Sequence, residues 1–227
     1  CDLTSPEAIT AAVNDVLSRW GHVDVLINNA GVAYYGPTHK MTPEQWDWLL
    51  AVNLRAPIQL TQELLPVLLA RPEAHVLNTC SIAGLVAGGR FAAYHVSKFG
   101  LVGFSEALRA EYGRKGLGVT ALCPGPVRTN LYRSAQGGKD SKPLPEPPRW
   151  ICTTETRVAN RAIKAIRKNQ RMVLITPLAH LLYNVKRFAP WFLDFLNHFG
   201  RKKKPQPPAN FPPQATTPPA KPGQRAA

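Results

Sequence analysis

Tyr94 and Lys98, within YHVSK at 94–98, stand four positions apart in a stretch with helical apolar spacing, so they share one helix face. Such a pair can do proton chemistry. A free phenol ionises near pH 10, and an ammonium within about 4 to 6 Å pulls that value down by stabilising the phenolate. A phenol tuned in this way can exchange a proton with a substrate oxygen. Ser81, in CSIAG, lies thirteen positions upstream and by itself reads as a helix-cap or turn serine. Asn53 is a polar residue midway along an apolar helical pattern and beside Pro57, by itself a helix-kinking or a satisfied core polar residue.

The elements that must position these residues alternate in type. Residues 5–20 begin with the Ser5-Pro6 start signal and carry apolar spacing through Ile9, Val13, Val16 and Trp20. Further helices are expected from Pro43 to about Leu69 and over 91–113. VDVLIN (23–28), HVLNTC (75–80), GVTALC (118–123) and MVLIT (172–176) read as short buried strands. This alternation predicts an α/β fold, a parallel sheet with helices on both faces. Each of the first three strands runs into a polar or glycine-rich segment, Asn28-Asn29-Ala30-Gly31, Ser81 to Gly84, or Pro124-Gly125-Pro126. In open sheets such segments line one crevice at the carboxyl edge, and the Tyr94 helix starts beside it.

Together, NNAG (28–31), Asn53 in VNLRAP, Ser81, YHVSK and PGPVRT (124–129) resemble the classical short-chain dehydrogenase/reductases, closely over 1 to about 130 and more loosely to about 200. The resemblance implies a Rossmann-like three-layer sheet and hydride transfer between an alcohol or ketone and NAD or NADP. On this reading Tyr94 is the general acid/base, Ser81 holds the substrate oxygen and Asn53 anchors a relay water. Lys98 grips the nicotinamide ribose. Asp2, Asn28, Ala30, Gly31, Pro124, Gly125, Val127 and Thr129 complete the cofactor contacts together with Tyr94 and Lys98. Asp2 would touch adenine and Thr129 the carboxamide. The choice between NAD and NADP is not legible. The family's TGxxxGxG turn is not in the sequence, so a partial domain lacking its N-terminal strands is expected over 1–200, one that binds cofactor weakly or not at all by itself, the full-length protein being the enzyme. The alternative is a catalytically inactive truncated fragment acting only as a binding or membrane-associated module.

Composition bounds the other functions. With 44% hydrophobic residues and no apolar run long enough to span a bilayer, one globular domain is expected. Cys1, Cys80, Cys123 and Cys152 lack metal-ligand spacing and read as reduced thiols, implying a cytoplasmic location and no metal, with Cys80 and Cys123 serving as small buried hydrophobes. His95 reads as packing or surface. The net charge of +14 gathers toward the C-terminus, where 201–227 reads as a disordered, basic, proline-rich tail. Nucleic acid is not expected, because the basic residues are not interleaved with aromatics across a folded groove. Residues 131–152 fit a substrate lid for a small, apolar alcohol or ketone. Residues 177–200 fit helices that close the pocket or a subunit interface, or that touch a membrane surface together with Arg201 to Lys204. The helices at 43–70 and 91–113 resemble those through which the family pairs its subunits, so a homo-oligomer is expected of the full-length protein.

Overall fold

A computed structural model describes residues 1–137, 144–192 and 195; the tail 201–227 and parts of the lid and C-terminal helices lie outside the described residues. Helix α1 (Pro6–Trp20) starts where Ser5 Oγ accepts the Ala8 N–H at 3.2 Å, and ends where Gly21 takes the left-handed φ of 72°. Strand β1 (Val25–Asn28) follows. The helix expected from Pro43 to Leu69 has a break in its ladder. Helix α2 (Pro43–Leu50), opened by a Thr42/Gln45 capping box, passes through one π-helical turn at Ala51–Arg55 into α3 (Ala56–Leu69). A single wide turn keeps the apolar stripe nearly in phase, which is why periodicity did not reveal it.

Strand β2 (Ala74–Thr79), helix α4 (Ala92–Tyr112) and strand β3 (Leu117–Cys123) come next. They are followed by the short α5 (Leu131–Ser134), α6 (Glu155–Arg167), β4 (Met172–Leu174) and α7 (Pro177–Phe188). The four strands form one parallel sheet in the order β1-β2-β3-β4. Alternation along β2 and β3 divides the core between two layers. Val76, Val119, Ala121 and Cys123 pack under α3 and α4, with α1 stacked on α3, whereas Leu77 and Leu122 meet Ala165 of α6. The expected α/β architecture with helices on both faces is therefore present. Strand β1 is an edge within the described sheet, and its Val25 and Ile27 are 43% and 53% exposed.

The end of the sheet opposite the crevice carries a buried His75. Thr120 Oγ1 donates to the Gln170 carbonyl at 2.5 Å, so it accepts from His75 Nε2 at 2.9 Å, which places a proton on Nε2. A Cβ on Gly118 would collide with His75 Nδ1, so glycine makes room for the imidazole. Burial, helped by the Arg109 charge, pushes the His75 pKa down to about 4. The unfolded chain then binds the proton first. Stability present above pH 6.5 is expected to fall as pH drops toward 4, by on the order of 3 kcal/mol. Urea unfolding at pH 7 and 4.5 measures this, and His75→Gln should flatten the difference.

Candidate active site

The carboxyl ends of β1, β2 and β3 release three segments side by side, and α4 lays its first turns across them. Ser81 follows β2 and caps a 3-10 turn at Ile82–Gly84, its Oγ accepting the Ala83 N–H at 3.1 Å. That leaves the Ser81 proton free to donate. His95 holds this turn to α4, with Nδ1 2.8 Å from the Ala83 carbonyl and Nε2 accepting the Gly88 N–H at 2.9 Å. The residue expected to be packing or surface is thus a tie between Ser81's turn and Tyr94's helix.

Tyr94 and Lys98 do share a face, but the ammonium does not act on the phenol as spacing suggested. Lys98 is 3% exposed, donates to the Thr79 carbonyl at 2.8 Å, and lies 5.7 Å from the Tyr94 ring centroid. It meets the ring face rather than tuning the hydroxyl. Burial pushes the Tyr94 phenol up to about 12, opposed by a hydrogen bond with the Ser81 side chain and reinforced by Tyr132 and Cys80. The expected lowering is therefore overturned. At neutral pH the phenol keeps its proton. Burial also holds the Lys98 ammonium below its usual range, against the pull of the Cys80 and Cys123 sulfurs.

Asn53 is fully buried in the π-helical turn, and its amide is committed. Oδ1 accepts the Val32 N–H at 2.8 Å, while Nδ2 donates to the Val32 carbonyl at 2.9 Å and to Ser97 Oγ at 3.2 Å. It ties the loop after β1 to α4. A Cβ placed on Gly31 would lie 3.5 Å from Asn53 Oδ1 and 3.6 Å from Lys98 Nζ, so Gly31, Asn53 and Lys98 converge. These are ordinary contact distances, so protein packing is not what demands glycine there.

The remaining expected cofactor residues divide. Ala30 and Gly31 are exposed beside Lys98. The Asn28 side chain is instead buried, its Nδ2 donating to Asn78 Oδ1 at 2.8 Å, and Asn78 in turn donates to Ser105. Pro124 is buried, and a Cβ on Gly125 would collide with Thr176 Oγ1, which caps α7, so this glycine is required by packing. Val127 bridges to Thr153, and Thr129 lines a cavity of 290 Å³ together with Arg128, Tyr132 and Glu146. Asp2 sits apart at the start of α1, where its Oδ1 accepts from the Thr4 backbone and hydroxyl at 2.8 Å each.

Sequence reasoning missed an aromatic wall beside Tyr94. Phe91 lies 6.2 Å from Tyr94 and 4.9 Å from Tyr35, ring to ring. Backbone bonds brace this wall, with Gly36 N–H donating to Arg90, Tyr35 N–H to Gln136, and Gln136 N–H to Ala33. Gln136 thereby fastens the lid segment across the loop after β1. Phe91 and Tyr94 stand three residues apart at the start of α4, whereas Tyr35 comes from the loop after β1, and no local pattern could have joined it to them. At the far end, Lys186 donates to the Leu85 carbonyl at 2.6 Å and stands over Phe99, docking α7 against the Ser81 side of the crevice.

A family model described as short chain dehydrogenase matches residues 1–140. The Bos taurus protein named dehydrogenase/reductase SDR family member 7B is 33% identical over 191 residues, 83% of this chain and 59% of that protein. The chain spans roughly half to three fifths of the length of the first curated relatives it matches, 59%, 48% and 53%. Among solved structures, a short-chain dehydrogenase from Streptomyces avermitilis superposes with a TM-score of 0.74 at 26% identity, covering 89% of this chain and 79% of that one. A metagenomic short-chain oxidoreductase in complex with NADP gives 0.60 at 34% identity, covering 77% and 71%.

Proposed function

This chain belongs to the short-chain dehydrogenase family, and from that membership and the crevice geometry we propose that it is an oxidoreductase acting on an alcohol/ketone pair with NAD or NADP. The observation that carries the reading is the convergence of Tyr94, Ser81 and Lys98 where two parallel strands end beneath one helix. The donor set fits a nicotinamide nucleotide. A buried ammonium suits the ribose hydroxyls, and the exposed Ala30–Gly31 backbone and the Thr129 cavity offer the rest of the bed. When bound, that cofactor supplies the hydride.

The chain's own residues handle the proton. Ser81, its Oγ already accepting from Ala83, donates to the substrate oxygen and fixes its position. Tyr94, held protonated by burial, delivers its proton to that oxygen as a ketone becomes an alcohol. Lys98, bonded to the Thr79 carbonyl, is placed for the ribose hydroxyls. Asn53 acts mainly by fixing the loop that carries Gly31, and the π turn offsets backbone carbonyls from their usual partners, as a relay water would need. Tyr35 and Phe91 beside Tyr94 support an apolar substrate. Loss of reduced-nicotinamide absorbance on adding apolar ketones to the protein with NADH or NADPH tests the reading. Absence of turnover across such a panel, from protein that binds the cofactor, would sink it.

A second reading is favoured by one observation. Leu181, Phe188, Trp191 and Phe195 are each more than half exposed, at 59%, 77%, 68% and 51%, with Phe192 stacked on Phe195. An aromatic row leading into Arg201 to Lys204 suits a peripheral membrane contact. Among the described residues no helix is long and apolar enough to cross a membrane. The protein should sediment with phosphatidylserine-rich vesicles at low salt, release as salt rises, and weaken with Trp191→Ala and Phe195→Ala combined. Equal sedimentation of wild type and variant would remove this reading. Subunit pairing through the helices at 43–70 and 91–113, and a cytoplasmic site of action, belong to the same proposal.

A further inference from the structure

Two sulfurs at the floor of the crevice take no part in the proton chemistry above. The register pairs Thr79 of β2 with Leu122 of β3, so the next residues along, Cys80 and Cys123, stand opposite one another. The pairing continues beyond them, since the Ile82 N–H donates to the Pro124 carbonyl at 2.9 Å. Neighbouring strands lie about 4.7 to 4.9 Å apart, inside the roughly 4.4 to 6.8 Å that separates the Cα atoms of a disulfide. Both thiols are free, and both point into the apolar cluster with Leu101, Val102 and Ala121, on the same side of the sheet.

We propose that Cys80 and Cys123 form a dithiol redox site, which a small peroxide converts to an internal disulfide directly beneath Ser81 and Lys98. The two positions are chemically unequal in a way that suits the division of labour. A hydrogen bond with Cys123 and the charge of Lys98 draw the Cys80 thiol below its usual range despite burial, whereas that same bond, burial and the Cys80 charge hold Cys123 well above it. Cys80 is the attacking sulfur. Its thiolate forms an S–O bond as the peroxide O–O bond breaks, and the departing hydroxide takes up a proton to become water. The Cys123 sulfur then attacks Cys80 sulfenic acid. The S–S bond forms, the S–O bond breaks, and hydroxide leaves as water with the Cys123 proton. One peroxide is reduced to two waters, and two thiols are oxidised to one disulfide.

Access restricts the oxidant to very small molecules, because Cys80 is 3% exposed and Cys123 fully buried. The consequence lies next door. Cys80 precedes Ser81 and Cys123 precedes Pro124 and Gly125, so closing the bond acts on the residues that position the substrate oxygen and the loop below it. The inference does not rest on hydride transfer, and its test reads thiols rather than turnover.

The test uses the full chain carrying Cys1→Ser and Cys152→Ser, which removes other pairings. The folded protein is treated with hydrogen peroxide, alkylated, denatured and mapped by mass spectrometry. The proposal expects a linked pair of peptides containing Cys80 and Cys123, the loss of both remaining thiols, and full recovery on adding dithiothreitol. Adding Cys123→Ser should leave Cys80 oxidising to a sulfinic acid that dithiothreitol does not restore. The proposal is overturned if both thiols survive peroxide in the folded protein and react only in urea, or if Cys80 overoxidises with Cys123 intact. Should the serine variant fail to fold, the linked-peptide result in the parent decides alone.

Discussion

Replacing Tyr94 by Phe should reduce turnover by about 10²- to 10⁴-fold while leaving the fold in place. The change deletes one hydroxyl whose protein partner is the Ser81 side chain, and keeps the ring against Phe91 and Lys98. Loss of a single neutral hydrogen bond costs about 1 kcal/mol, so melting should move by only a few degrees. The kinetic loss should fall on kcat more than on KM, because the missing proton is needed in the transition state rather than for binding. A variant with near-normal kcat would show that another group supplies the proton. Measuring kcat, KM and the thermal midpoint on one preparation separates these outcomes.

Gly84→Ala should have the largest effect on stability. A Cβ there would lie 2.5 Å from the Lys98 carbonyl oxygen, 2.9 Å from its carbon and 3.0 Å from a Val102 methyl. The first two contacts are backbone in the middle of α4 and cannot swing away. Either the Ser81 turn or the helix must move, at an expected cost of about 3 kcal/mol and roughly 10 °C in the thermal midpoint. Because Gly84 closes the turn that Ser81 opens, the same displacement separates Ser81 from Tyr94. Activity should therefore fall at temperatures where the variant is still folded. Gly103 is a matched control, since nothing lies within 4 Å of a Cβ there and Gly103→Ala should not destabilise.

The contrast between these glycines was not legible in the sequence, which gives residue types but not what stands opposite them. The α/β alternation was legible because strands such as VTALC are short, apolar and bounded by turn residues, and helices such as 6–20 carry their own caps. The fourth strand was read two residues too long, since Ile175 and Thr176 already turn into the cap of α7. Spacing placed Tyr94 and Lys98 on one face. It could not foresee that Lys98 reaches the Thr79 carbonyl nineteen positions away, and that the phenol would answer chiefly to burial. Asn28 was read as facing the cofactor, but the Asn78–Ser105 network beneath the sheet claims its side chain. That network joins three elements distant in sequence, and the aromatic wall joins Tyr35 of the loop after β1 to Phe91 and Tyr94 at the start of α4.

The central claim is that a protonated Tyr94 completes a hydride transfer at this crevice, and isotope tracing tests it most directly. The protein is incubated with an apolar ketone and NADPH or NADH bearing deuterium at the transferable C4 position, and the alcohol is analysed by mass spectrometry. The account predicts a single deuterium on the carbinol carbon of the product, formed by wild type and nearly abolished in Tyr94→Phe. Alcohol that carries no deuterium, or labelled alcohol formed equally well by both proteins, would contradict it.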